Sequence, residues 1–159
     1  MSEAGAMPHI RPDDPARPEV RALLEAHLED MVATSPPESR HALDVDGLRA
    51  ADVSFYSLQL GGAVVGCGAL RVIAPGHGEL KSMRTVETHR GRGLAARMLV
   101  HLVEEARRRA LRRLSLETGS QAFFAPARRL YARHGFEVCG PFGSYVEDPN
   151  SVFMTRTIS

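Results

Sequence analysis

A glycine-rich stretch with interspersed arginines, HRGRGLAARML at residues 89–99, is the part of this sequence best suited to binding an anion. Gly91, Gly93 and Ala96 have the spacing G-x-G-x-x-A, which occurs in turns that bind dinucleotides. Glycines before a helix let the backbone approach a ligand, and the free N–H groups and dipole of the helix attract negative charge. The stretch therefore predicts a phosphate-binding loop.

A dinucleotide-binding fold requires a strand that runs directly into the glycines and an acidic residue about 20 positions further on. Glu117, which follows Ala96 by 21 residues, meets the second requirement. The first requirement fails, because the five residues VETHR separate the predicted strand end at Thr85 from Gly91. A β-meander rather than a βαβ unit also precedes the helix. The pattern thus argues against a dinucleotide-dependent oxidoreductase.

Length and composition predict one globular domain over residues 1–159, because 43% of the residues are hydrophobic and 25% are charged. The net charge of +1 gives no reason to expect a nucleic-acid or membrane partner. The two cysteines, Cys67 and Cys139, lack metal-ligand spacing and are interpreted as reduced packing residues, and no metal is expected. The sequence has neither an 18-residue apolar run nor a secretory signal, so a cytoplasmic location is expected.

Hydrophobic periodicity predicts a mixed α/β fold with the element order β-α-α-β-β-β-α-β-α-β-β. A strand in HIRPDD precedes a helix from Pro18 to Met31 and a short helix in HALDVDGLRA. A two-glycine turn joins the hairpin strands VSFYSLQL and AVVGCGALRV, and a Pro-Gly-His-Gly turn leads to the strand ELKSMRT. After the loop come a helix from Leu94, the strand LRRLSLET, the helix FAPARRLYARH, and the strands FEVCGPF and SVFMTRTI. The predicted apolar stripe of the first helix is Val20, Leu23, Leu24, Leu28, Met31 and Val32.

The same loop also matches a second pattern, R-x-x-G-x-A, which is formed by Arg90, Gly93 and Ala95. This pattern resembles the pyrophosphate loop Q/R-x-x-G-x-G/A of the GNAT superfamily of acyl-CoA N-acyltransferases. ELKSMRT resembles the fourth strand of that family, LYARHGF resembles its L-Y-x-x-x-G-F segment, and the order of elements matches from residue 9 onward. PPESRHALD, GELKSMRT, LETG and FGSYVEDPNSVFM resemble a group of small bacterial acetyltransferases within it. The chain is therefore identified as a member of the GNAT superfamily.

The resemblance implies a mostly antiparallel sheet that splays between its fourth and fifth strands, with acetyl-CoA as cosubstrate. The cofactor arm lies between these strands, where backbone groups of Met83, Arg84 and Thr85 face the thioester and pantetheine. Loop N–H groups hold the pyrophosphate, and Arg90 and Arg92 either add charge-assisted bonds or remain solvated. The implied pyrophosphate loop comprises Arg90, Gly91, Arg92, Gly93, Leu94, Ala95 and Ala96.

Acetyl transfer to an amine requires a polarised thioester carbonyl, a base for the amine and an acid for the departing thiolate. Tyr131 matches a tyrosine that acts as general acid in many relatives, and its phenol, with a reference pKa of ~10, is protonated at neutral pH. A purely structural core tyrosine is the alternative. Glu79 matches a glutamate that serves as base in some relatives, and an ion pair with Lys81 is its alternative role. Further candidates for the base are His77, His89 and Glu117.

One position departs from the family pattern. Phe124 stands where many relatives have an asparagine that bonds the amide arm of the cofactor, seven residues before Tyr131. That contact cannot be carried over to this chain. Backbone or side-chain groups of Gly119, Ser120 and Gln121 are the candidates to replace it.

Choice of the acceptor is expected to lie with the first two helices and the loop before the last strand. Lys81 and Arg84 are charged residues in a strand predicted to be central, so they either pair with Glu79 or Glu117 or bind a carboxylate of the acceptor. The expected acceptor is a small amine-bearing metabolite, which is anionic if either cation binds it. The residues assigned to the same cleft are Arg40, His41 and Tyr145.

Two other functional classes stay open at this point, namely a non-catalytic acyl-CoA-binding sensor or interaction module and a protein-lysine acetyltransferase. Tyr131 together with Glu79 favours an enzyme, because a pure binding protein needs neither residue. An exposed edge strand over Val152 to Ile158 would suit a homodimer, an expectation that comes from fold-level analogy.

Overall fold

The computed structural model describes residues 7–34, 36 and 45–158, and in this part of the chain the elements follow the predicted order. Short 3-10 turns precede the third and fourth helices, and residues 41–44 of the predicted second helix lie outside the described residues. The elements are β1 (His9–Pro12), α1 (Pro18–Thr34), α2 (Val45–Leu48), β2 (Val53–Leu60), β3 (Ala63–Ala74), β4 (His77–Thr85), α3 (Leu94–Arg108), β5 (Arg113–Gly119), α4 (Ala125–Arg133), β6 (Glu137–Cys139) and β7 (Ser151–Thr157). The mixed α/β fold class is confirmed.

All of these strands form one seven-stranded sheet in the order β1-β2-β3-β4-β5-β7-β6. Every neighbouring pair is antiparallel except β4 and β5, which run parallel because α3 crosses over between them. Helices α3 and α4 pack on one face of the sheet, where the larger apolar cluster includes Leu70, Leu80 and Leu102. Helices α1 and α2 pack on the other face around Phe55 and Ala69. The core therefore has two layers, one on each side of the sheet.

Several predicted bounds and one predicted apolar stripe differ from the structure, and α1 ends at Thr34 rather than at Met31. β4 begins at His77 rather than at Glu79, because Pro75 and Gly76 alone form the turn and His77 pairs with Ala74. The predicted strand FEVCGPF shortens to the three residues of β6. In α1 two residues of the predicted apolar stripe turn outward, since Leu28 is 37% and Val32 is 58% exposed.

The expectation of an exposed edge strand over Val152 to Ile158 is wrong. β7 pairs with β5 on one side and with β6 on the other, so its backbone groups are used within the sheet. The outer strands of the sheet are β1 and β6. The argument for a homodimer through β7 therefore no longer holds.

β4 and β5 separate halfway along their length, as the family resemblance implied. Their parallel register runs from His77 opposite Arg113 to Leu80 opposite Leu116 and stops there. Beyond that point β4 continues beside β3, and β5 continues beside β7 as far as Gly119. The two strands thus leave a gap in the middle of the sheet.

A β-bulge in β4 lies at the start of this gap. Cys67 pairs with Arg84 and Ala69 pairs with Lys81, so two residues of β4 stand opposite the single residue Gly68. One of the two, Ser82, has a φ of 55°, in the left-handed region that disfavours residues with a Cβ. Its buried Oγ has no hydrogen-bond partner among the described residues. The bulge therefore carries both backbone strain and an unsatisfied hydroxyl.

We expect Ser82→Gly to stabilise the protein. Glycine removes a left-handed strain of about 1–2 kcal/mol and the unsatisfied hydroxyl, against roughly 0.5–1 kcal/mol of lost backbone entropy. A net gain of about 1 kcal/mol corresponds to a rise in the unfolding midpoint of about 2–4 °C, measured by thermal denaturation. Ser82→Ala, which keeps the strain, is the control and should gain less. A lower midpoint for Ser82→Gly would contradict this account of the bulge.

Candidate active site

Two cavities meet at the gap between β4 and β5. The large cavity, of about 390 Å³, lies between the end of β4, the glycine-rich loop, the start of α3 and one side of α4. The small cavity, of about 110 Å³, lies between α1, β4, β5 and the β6–β7 loop. Both are lined by His27, Met83, Phe124, Ala127 and Tyr131. A ligand in one cavity can therefore reach a ligand in the other through the gap.

The glycine-rich loop forms one end of the large cavity. Gly91 and Gly93 have φ values of 80° and 78°, and Gly93 directly precedes α3, whose first helical bond runs from Arg97 N to Gly93 O at 3.2 Å. The N–H groups in the first turn of a helix have no partner within the helix, so they are available to an anion here. This geometry is what a phosphate-binding loop requires.

Nine of the ten residues that sequence analysis assigned to the cofactor line the large cavity. Arg92 belongs to the same loop but is exposed and is absent from the lining. The nine lining residues are Met83, Arg84, Thr85, Arg90, Gly91, Gly93, Leu94, Ala95 and Ala96.

The end of β4 presents backbone groups to the gap. Val86 N donates to Val65 O of β3 at 2.8 Å, and successive N–H groups of a strand point to opposite edges. The N–H of Thr85 therefore points away from β3 and into the gap. Such groups are suited to pair with the amide groups of an extended ligand, as an added strand would.

The arginines near the large cavity are held by a carboxylate of α1. Arg84 Nη1 donates to Asp30 Oδ2 at 2.5 Å, and Arg90 Nη2 lies 4.0 Å from the same oxygen. Arg90 also donates from Nε to Thr85 O at 3.3 Å, and its guanidinium lies 5.9 Å from the centre of the Phe123 ring. The predicted ion pairing of Arg84 occurs, but its partner is Asp30 rather than Glu79 or Glu117. Both guanidinium groups are thus fixed beside the loop.

Tyr131 stands at the junction of the cavities. It belongs to α4, where the spacing of Phe124, Ala127 and Tyr131 places all three on one side of the helix. The hydroxyl of Tyr131 lies 3.9 Å from Met83 Sδ, the sulfur of the β4 bulge residue. Burial, with the nearby Glu117 carboxyl, raises the pKa of Tyr131 to about 12. The phenol is therefore protonated at neutral pH and can donate a proton.

Phe124, which replaces the usual asparagine, packs its ring against the end of β5. A Cβ on Gly119 would lie only 2.2 Å from Phe124 Cδ2, so this close packing depends on glycine. The carbonyl oxygens of Gly119 and Gln121 are satisfied by Arg128 Nη1, at 2.5 and 3.0 Å. The Phe124 ring thus forms an aromatic wall where many relatives have a polar asparagine. Arg128 fixes the turn between β5 and α4.

A buried ion pair with a phenol lies on the wall of the small cavity. Glu79 and Lys81 are 3% and 9% exposed, and Lys81 Nζ donates to Glu79 Oε2 at 3.1 Å. Tyr145, from the β6–β7 loop, donates its hydroxyl proton to the same oxygen at 2.5 Å and accepts from Lys81 Nζ at 3.0 Å. Burial and the adjacent Glu79 carboxylate raise the pKa of Tyr145, which therefore stays protonated. We call these three residues the buried triad.

Glu117 is the second carboxyl of the small cavity. It stands on β5 just beyond the last residue that pairs with β4, so it faces the gap. Burial raises its pKa to about 7, an effect that the Glu79 charge reinforces and the Lys81 charge opposes. A carboxyl that titrates near neutral pH is suited to accept and release a proton during turnover.

The remaining candidates from the sequence differ in where they lie relative to the two cavities. His77 lines neither cavity and bonds Ser115 Oγ at 2.7 Å, whereas His89 lines the large cavity beside the loop. Tyr145 lines the small cavity as predicted, but as part of the buried triad. Arg40 and His41 lie outside the described residues.

The sequence pointed to the first helix as part of the acceptor site, but His27 and Met31 of α1 were not among the predicted site residues. His27 lines both cavities and Met31 lines the small one, because they continue the helical face of Val20 and Leu24. Burial, with the nearby Arg84 charge, lowers the pKa of His27 to about 4, so its imidazole is neutral. The i, i+3, i+7 spacing from Leu24 to Met31 was the available signal, and it was obscured by the adjacent Leu28 and Val32.

Among residues 7–34, 36 and 45–158 there is no group of three or more histidine, cysteine or acidic side chains arranged to hold a metal ion. Over the same residues, every helix is too short or too polar to cross a bilayer.

Comparisons with known proteins agree with this geometry. A model of the Acetyltransferase (GNAT) family matches residues 20–136. The uncharacterized N-acetyltransferase YsnE of Bacillus subtilis is 49% identical over 150 residues, which are 94% of this chain and 99% of that protein. A protein of Azospirillum brasilense named IAA acetyltransferase is 39% identical over 136 residues, covering 85% and 86% of the two chains. The solved structure of a Klebsiella pneumoniae protein described as an acyl-CoA N-acyltransferase has a TM-score of 0.77 and 30% identity, over 96% of this chain and 99% of that one.

Proposed function

The chain belongs to the Acetyltransferase (GNAT) family, and from that premise we propose that it transfers an acetyl group from acetyl-CoA to a primary amine of a small molecule. One observation carries the proposal: the large and small cavities meet at Tyr131 through the gap between β4 and β5. Donor and acceptor can therefore occupy separate cavities and react directly in a ternary complex. The lining residues fit this division, with phosphate-binding geometry in the large cavity and titratable carboxyls in the small one.

The lining of the large cavity offers contacts for the pyrophosphate and for the pantetheine arm of coenzyme A. Residues 91–96 would hold the pyrophosphate through loop and helix N–H groups, with Arg90 supplying positive charge nearby. The backbone of Met83 and Thr85 would pair with the amide arm in the gap and present a donor to the thioester carbonyl. The acetyl group then lies at the junction beside Tyr131.

We assign the general base to Glu117 rather than to Glu79, the leading candidate from the sequence. Glu79 is held in an ion pair with Lys81, whereas Glu117 lies near the Tyr131 phenol and burial brings its pKa to about 7. Glu117 takes a proton from the attacking amine as the new N–C bond forms at the carbonyl carbon. Tyr131 donates its proton to the departing sulfur as the C–S bond breaks. Solvent then returns a proton to Tyr131 and removes one from Glu117.

The anionic character expected of the acceptor loses its support, because both cations proposed to bind a carboxylate are bonded to carboxylates of the protein. Lys81 is held by Glu79, and Arg84 is held by Asp30. The proposal therefore keeps a small amine as the acceptor and drops the requirement for negative charge.

The experiment that tests this function measures free thiol released from acetyl-CoA with and without a panel of amines. IAA is tested separately from the amines because the Azospirillum relative is named IAA acetyltransferase. We expect amine-dependent release, and Tyr131→Phe should lower kcat by about 100-fold, since a general acid contributes about 10²–10⁴. Tyr56→Phe is the control, because that buried phenol contacts Arg109 outside both cavities. Tight binding of acetyl-CoA without amine-dependent release would instead support an acyl-CoA sensor, and activity on protein lysines alone would contradict the small acceptor.

The raised pKa of Glu117 predicts the pH dependence of turnover. Only the ionised carboxylate accepts a proton, so the contribution of Glu117 should make kcat/KM rise with pH through a midpoint of about 7. Above that pH the contribution of Glu117 should stay constant. Glu117→Gln should remove this rise, the limb of the profile near pH 7. The remaining rise of kcat/KM, at higher pH, should then reflect only the ionisation of the amine itself. A limb near pH 7 that persists in Glu117→Gln would assign the base to another group.

A further inference from the structure

Glu79 presents one carboxylate oxygen to the small cavity. Both donors of the buried triad, Lys81 Nζ and the Tyr145 hydroxyl, bind Oε2. No hydrogen bond to Oε1 comes from the described residues, and this oxygen is not among the fully buried, unsatisfied polar atoms. Since Glu79 lines the small cavity, Oε1 is a fixed acceptor at its wall. It is available to an N–H or O–H donor of a ligand.

The charges around the small cavity favour a cation. Its acidic lining residues are Glu79 and Glu117, and Lys81 is the one cation among the described residues that line it. Lys81 is bonded to Glu79, so their charges balance, and the neutral imidazole of His27 adds none. Among the described lining residues, ionised Glu117 then remains as the net negative charge. The carboxylate of an acceptor that carries one near its amine would be repelled by this charge.

The two carboxyl groups are spaced for two donor groups of one small molecule. Glu79 stands opposite Ser115 in the β4–β5 register, and Glu117 lies two residues further along β5, on the same face of the sheet. With a strand separation of about 4.8 Å and a rise of about 3.3 Å per residue, the diagonal between these positions is about 8 Å. A chain of a few carbon atoms can place one donor at each carboxyl group.

We propose that the acceptor is a small cationic amine with a second hydrogen-bond donor, such as a short diamine or amino alcohol, and that Glu79 binds this second donor. The reacting amine lies beside Glu117 and Tyr131, and the other donor bonds Glu79 Oε1. Glu79 is thus an acceptor-binding residue whose charge and position are set by Lys81 and Tyr145. This inference rests on the proposed acetyltransferase function and names the substrate class of the same site.

The first experiment compares four three-carbon amines as acceptors for acetyl-CoA with the unmodified protein. They are 1,3-diaminopropane, 3-aminopropan-1-ol, propylamine and β-alanine, which differ only in the group at the far end. A charge-assisted hydrogen bond to Glu79 should give the first two a kcat/KM about tenfold or more above propylamine. The carboxylate of β-alanine should place it below propylamine.

The second experiment removes the charge of Glu79. Glu79→Gln should lower kcat/KM for 1,3-diaminopropane by about tenfold or more and leave propylamine within about threefold. It should also improve β-alanine, because Glu79 then no longer balances the positive charge of Lys81. Glu147→Gln is the matched control, since Glu147 is an exposed glutamate in the same β6–β7 loop and should leave the ranking unchanged. Because Glu79→Gln removes the carboxylate that balances the buried Lys81 ammonium, Glu79→Gln/Lys81→Met provides a second variant that should lose the diamine preference without the gain for β-alanine.

The outcomes separate this inference from the proposed function. If propylamine or β-alanine matches the diamine in the unmodified protein, or if Glu79→Gln keeps the preference, the inference is wrong while the acetyltransferase function stands. Turnover of other amines but of none of these four would also overturn it. If no amine releases thiol and acetyl-CoA does not bind, the proposed function itself fails.

Discussion

The loss of backbone pairing between β4 and β5 is the constraint on which the rest of the site depends. Each strand keeps its other partner, so the sheet stays continuous at both sides of the gap while Thr85 N–H faces an opening. Backbone polar groups in the middle of a sheet are stable only if something else satisfies them. An extended ligand with its own amide groups does so. The loop before α3 and the aromatic wall of Phe124 then fix where the two ends of that ligand lie.

The ionisable groups at the gap lie in different electrostatic surroundings. The buried triad holds Glu79 and Lys81 as a balanced pair, and it also anchors the β6–β7 loop through Tyr145, whose ring packs 5.4 Å from that of Phe153. Burial is the largest effect on the pKa of Glu117, and it outweighs the opposing effects of the Ser151 hydroxyl and the Lys81 charge. Two carboxyl groups on one cavity wall thus have different surroundings, which support the roles that we propose, recognition for Glu79 and proton transfer for Glu117.

Much of this arrangement is readable from the sequence because it depends on local chemistry. Gly93 signals the start of α3, and period-2 and period-3.6 patterns place the strands and helices. Other features depend on contacts between distant segments. Asp30 pairs with Arg84 across 54 positions, and Tyr145 reaches Glu79 across 66, so no spacing rule could identify these partners. The error about β7 has the same origin, because β6 is only three residues long and its pairing outside β7 leaves little trace in the sequence.

The central claim is that an extended acetyl-CoA fills the gap between β4 and β5, and amide hydrogen exchange tests it most directly. The account predicts that saturating acetyl-CoA slows exchange in two separate segments, residues 83–85 of β4 and residues 93–96 at the start of α3. NADH should protect neither segment to the same extent. Protection confined to the loop, with β4 exchanging as in the free protein, would mean that a phosphate binds there without any ligand entering the gap. That result would contradict the account.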